Sequence, residues 1–144
     1  MQLPAWLVML TDAHQAVAAG HANVADVAFT CARFAREGED RRAAAEAVAA
    51  RYPVNGSSAD RLGPPPFTGV RLGASGLVRD LVELHQLAAF VEIAWELVGQ
   101  AACGMRDREL IDLGAGAMEA LRAQVAWTRT KIRAESAQAL LVAP

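Results

Sequence analysis

Pro53-Val54-Asn55-Gly56-Ser57-Ser58-Ala59-Asp60-Arg61-Leu62-Gly63-Pro64-Pro65-Pro66-Phe67-Thr68-Gly69-Val70-Arg71-Leu72-Gly73 is the stretch on which the fold turns. Its four prolines and four glycines exclude a regular helix, because proline lacks an amide hydrogen and glycine costs entropy to fix. On both sides of it, apolar residues recur at three- and four-residue spacing, and no alternating strand pattern appears. The spacing predicts helices over roughly 4–19, 24–52, 76–103 and 107–135, with a crossover loop over 53–75. The first two helices share a short turn, as do the last two, so each pair should fold back as an antiparallel hairpin. The long connector can run the full length of helices of this size, about 40 Å. The expected architecture is all-α, a single domain over 1–144, with two antiparallel helical hairpins joined by a Pro/Gly-rich crossover.

Local punctuation supports these bounds. Pro4 suits a first helical turn, and Trp6, Leu7, Leu10 and Val17 follow on one face, with Gly20 as a C-terminal cap. Asn23 is expected to cap the second helix, and Pro53 with Asn55-Gly56-Ser57-Ser58 to end it in a turn. Ser75 is expected to cap the third helix, which Gly104 ends, and Asp107 to cap the fourth. Lys131 and Arg133 sit near the end of the fourth helix, where positive charge suits the dipole.

Of the 144 residues, 53% are hydrophobic and 21% charged, a profile that excludes a disordered chain. The net charge of -2 carries no basic stripe, so no nucleic-acid partner is expected. No membrane span is expected either: the apolar run Leu3–Leu10 is short and holds Pro4. No basic leader precedes it, which points to the cytoplasm. Cys31 and Cys103 lack metal-ligand spacing and are expected as buried, reduced core thiols, with a regulatory disulfide as the alternative.

Within the apolar run Leu77–Cys103, His85, Glu92 and Glu96 stand at i, i+7 and i+11 and share one side of the helix. Such a stripe can be half of a metal site inside a bundle or the solvated strip of an amphipathic helix.

The two hairpins and single long crossover resemble the ferritin-like superfamily, in particular its small bacterial four-helix bundle proteins of unassigned function. The stretch Ile93-Ala94-Trp95-Glu96-Leu97-Val98-Gly99-Gln100 adds to the resemblance, as does the ending from Trp127 through Lys131 to Gln138-Ala139-Leu140. A di-iron member would carry a glutamate on each of two helices and E-x-x-H on each of the other two. This chain has no E-x-x-H. Its nearest stretches are Glu37-Gly38-Glu39-Asp40 and Glu119-Ala120-Leu121-Arg122, and arginine has no lone pair to offer a metal. Glu119 also lies about 160° around the helix from the inward Leu121.

The second helix places Gly38 and Arg42 inward, so Arg42 is expected to fill the space of a metal and to pair with Glu92 or Glu96. His14, on the apolar face of the first helix, is expected as a hydrogen-bonded core residue, with partner contact or metal ligation as alternatives. His21 is expected to be solvated in its turn. The candidate polar cluster is therefore His14, Arg42, His85, Glu92 and Glu96, with no catalytic residue, metal ligand or cofactor assigned. Gly73-Ala74-Ser75-Gly76 reads as a helix entry ahead of an anion site, and Arg61 and Arg71 as isolated loop arginines. Trp6, Phe34, Phe90, Trp95 and Met118 read as core ahead of a small-molecule pocket.

These observations lead to a non-catalytic accessory or interaction protein with a degenerate metal site. It is expected as a homodimer, because the short first helix leaves part of its neighbours uncovered. The alternative is a metal-dependent oxidoreductase or metal-binding bundle, holding iron or another divalent metal on His14, Glu92 and Glu96, with or without His85.

Overall fold

The computed structural model of the chain describes residues 2–52 and 63–142. Four helices account for most of them: α1 (Leu3–Gly20), α2 (Ala25–Ala49), α3 (Gly73–Met105) and α4 (Arg108–Ala137). A π-helical turn, Gln138–Val142, extends α4, and no strand occurs among the described residues. The expected turn at Asn55–Ser58 and the side chain of Arg61 lie outside them.

The helix starts and stops show which local signals won. Pro4 does sit in the first turn of α1. Asp107 does cap α4, accepting from the Leu110 amide at 3.1 Å. Asn23 does not cap α2; Val24 stands there with no side-chain bond. Ser75 lies inside α3, which starts after Leu72, and its hydroxyl donates to the Ala139 carbonyl at 3.2 Å. Gly104 is helical too, and Arg106 makes the stop instead, in the left-handed region at φ 55°. That turn is tight enough to need one such residue, and the chain places arginine where glycine is the easier choice.

α1 packs on α2 and α3 on α4, forming the two hairpins; α1 also packs on α3, and α2 on α4. Both of the latter contacts are antiparallel. Trp6 meets Phe90 edge-on with ring centroids 5.0 Å apart, while His21 reaches Asp80 near the start of α3. Phe34 meets Trp127 at 5.7 Å, Lys131 pairs with Asp26, and Tyr52 just past α2 donates to Asp107 at the start of α4. The connector therefore leaves at one end of the helix array and lands at the other, as its length allows.

α3 is the hub. Leu81, Leu84, Leu87, Ala88 and Val91 have no exposed surface, and Trp95 almost none. By length and composition α3 is apolar enough to cross a membrane, with a mean hydropathy of 1.3 over its most apolar window, which corrects the expectation that no segment is. A helix packed on two sides inside a fold is apolar for its own reason. α1 has 18 residues and α3 has 33. Because Trp6 already meets Phe90, the last turns of α3 run past the start of α1. Cys103 lies in those turns and is exposed, correcting its expected burial, whereas Cys31 is buried and its thiol is pushed up to about 12 by desolvation.

Candidate functional site

The five residues expected to form a polar cluster do not come together. His85 is half-buried, and its Nδ1 stands 2.8 Å from the Thr128 hydroxyl. That hydroxyl gives its own hydrogen to the carbonyls of Gln124 and Val125, so His85 donates. Burial and the positive charge of Arg129 hold the imidazole below its ordinary range. Glu92 is drawn outward to Arg122 on α4 at 3.4 Å. Glu96 is exposed, at the rim of a cleft of about 250 Å³ between α3 and α4 that also holds Trp95, Cys103, Gly114 and Met118.

Arg42 makes neither of its expected pairs. Its guanidinium binds Glu39 and Glu46, one turn away on either side along α2. α2 and α3 lie diagonally across the array without contact, so Arg42 has no route to Glu92 or Glu96. A local pair on one helix orders only its own side chains, which is why it prevails over a diagonal one. His14 is buried beside Phe34, with ring centroids 5.4 Å apart, and is hydrogen-bonded to the Leu10 backbone as expected, while its Nε2 has no partner. Desolvation lowers its pKa to about 4, so it is neutral in the core. Among the described residues, no three of His, Cys, Asp and Glu converge on a point where a metal could sit.

The structure assembles a different set of polar side chains where the connector lands. Asp80, in the second turn of α3, is completely buried. Its Oδ2 lies 2.7 Å from His21 Nε2 and accepts from the Arg71 amide at 2.9 Å, while Oδ1 accepts from the Arg71 guanidinium at 2.9 Å. The other end of that guanidinium donates to Glu83 at 2.7 Å, and Glu83 also accepts from the Thr68 amide at 3.0 Å. Arg71 holds the Glu83 carboxyl below the usual carboxylate range. A buried carboxylate needs such partners on both oxygens, and here the connector supplies most of them.

Two glycines let the connector close in. A Cβ on Gly20 would run into the Val70 side chain, and one on Gly76 would stand 2.7 Å from the Arg71 carbonyl. His21 is thus buried, 4% exposed, and not solvated as its place in a turn suggested. Arg71 is likewise no isolated loop residue. One sequence signal was available: Asp80 falls among Leu77, Leu81 and Leu84 on the inner face of α3, where an acid requires a partner. Its partners lie 9 and 59 positions away, and no local spacing names them.

Beside this cluster, the ends of α1 and α4 and the starts of α2 and α3 enclose a cavity of about 280 Å³. His21, Asn23 and Glu135 give it polar walls, and Val24, Leu72 and Leu77 apolar ones.

Compared with protein-family models, with curated proteins and with solved structures, the chain matches none.

Proposed function

We propose that the chain is a ferritin-like four-helix bundle with an eroded metal site, working in the cytoplasm as a non-catalytic interaction protein that forms a homodimer. The packing order α1–α2–α4–α3, with an end-to-end connector between α2 and α3, supports the ferritin-like reading. The dispersal of His85, Glu92 and Glu96 to Thr128, Arg122 and solvent supports the eroded site.

One observation carries the interaction role: Ile93 is 55% and Leu97 53% exposed, one turn apart in the second half of α3. Adjacent bare apolar side chains on a helix favour a partner. A second copy fits, because an apolar patch complements itself across a two-fold axis and a net charge of -2 repels weakly. Light scattering is expected to give a dimer, and the I93D/L97D double variant a folded monomer. A strict monomer at high concentration removes the reading.

A second reading, a metal-binding or metal-dependent redox bundle, draws on the bare Nε2 of His14, a buried lone pair suited to iron or another divalent cation. Elemental analysis of protein purified without chelators tests it. Sub-stoichiometric iron, manganese and zinc would end it.

A further inference from the structure

The geometry points to the cavity at the connector end as a binding site for a small zwitterion of the amino-acid type with an apolar side chain. Its lining is amphoteric. Gly73 and Ala74, the first residues of α3, lie on one wall. No side chain caps that helix and its first turn holds no acid, so its leading amides face the cavity end without a protein acceptor. α2 begins at the same place, but Asp26 in its first turn already accepts from the leading amides there. The uncapped start of α3 presents positive partial charge, which suits a carboxylate.

The opposite wall accepts hydrogens. His21 is 4% exposed and lines the cavity. Asp80 occupies its Nε2 at 2.7 Å and fixes the ring, and Nδ1 has no partner among the described residues. Nδ1 is therefore the atom of His21 left for whatever enters. Glu135 adds a carboxylate, one oxygen of which is taken by Lys131 at 3.0 Å. An ammonium fits the remaining oxygen of Glu135, and Val24, Leu72 and Leu77 leave an apolar wall for a side chain.

The other charged groups around His21 are already engaged: Asp80 and Glu83 share Arg71, and Asp26 pairs with Lys131. A simple anion would meet Glu135, and a simple cation would meet the uncapped start of α3. A zwitterion meets neither conflict. The site stands apart from the exposed face of α3, and its occupancy is independent of dimerisation.

The test is a titration of the full chain with L-leucine, followed by amide chemical shifts and calorimetry, with acetate and n-butylamine as its two halves. Leucine is expected to bind and to shift the amides of His21, Gly73 and Ala74, while each half binds at least about tenfold more weakly. Glu135→Gln should weaken leucine about tenfold and leave acetate binding no weaker than before. Ala74→Asp places a carboxylate where α3 itself favours one, so it preserves the fold and should abolish leucine binding. Acetate binding as tightly as leucine, leucine binding unchanged by both substitutions, or no shift at these amides overturns the assignment.

Discussion

Asp80 and Glu92 are carboxylates on the same helix, and their surroundings differ in nearly every respect. Asp80 has no exposed surface and three donors drawn from the connector and the end of α1. Glu92 leans toward a single arginine that is itself 65% exposed. Glu92 belongs to an alignment that draws attention in the sequence; Asp80 belongs to none. Sharing one face of a helix costs nothing and obliges nothing, because water can serve every member. Burial obliges each polar atom to find a partner, and the partners it recruits tie separate parts of the chain together.

The largest expected effect separates these two acids. Asp80→Ala should destabilise the fold by about 3–5 kcal/mol in a urea titration, since it strips His21 and Arg71 of a shared buried partner. Glu92→Gln should leave the midpoint where it is. Equal effects from the two substitutions would dissolve the contrast.

His14 sharpens the comparison from the other side, as a buried polar group with one nitrogen left bare. Its folded pKa of about 4 lies below the ordinary 6.5, so above that ordinary value neither state takes up a proton and stability is unaffected. As pH falls from 6.5 toward about 4 the unfolded chain binds a proton that the folded chain refuses, and stability declines by up to about 3 kcal/mol. His14→Leu should flatten this acid limb between those values in denaturation midpoints measured against pH. An unchanged slope would show that the imidazole is not sealed from water.

The smallest effect belongs to Arg42→Ala. Its partners Glu39 and Glu46 are exposed neighbours on the same helix, and the thermal midpoint should not move measurably. A clear loss would mean that Arg42 meets groups beyond α2.

How much of this was legible in the sequence follows the same division. Pro4 and the cap at Asp107 act on the backbone next to them, and each does what its chemistry dictates. Both hairpins follow from short turns. Ser75 misled because α3 starts earlier and its hydroxyl turns to the Ala139 carbonyl, and Gly104 because Arg106 takes the left-handed turn two residues later. Cys103 misled because its burial depended on the length of a different helix. His21, Arg71 and Asp80 stayed hidden for a related reason: their meeting depends on where a long connector comes down, and no periodicity encodes that. Arg42 erred in the reverse direction, with a remote partner inferred where adjacent ones sufficed.

The landing of that connector also bears on the route by which the chain reaches its native state. Each hairpin closes over a few residues, so α1–α2 and α3–α4 can form early from near-neighbour contacts. The pairing of His21 with Asp80 spans 59 positions and requires both hairpins to be in place. Seating it is expected to come late, after the rate-limiting barrier. Its loss should hasten unfolding and leave the speed of folding nearly as it was, so that the buried acid governs how long the molecule stays folded more than how fast it gets there.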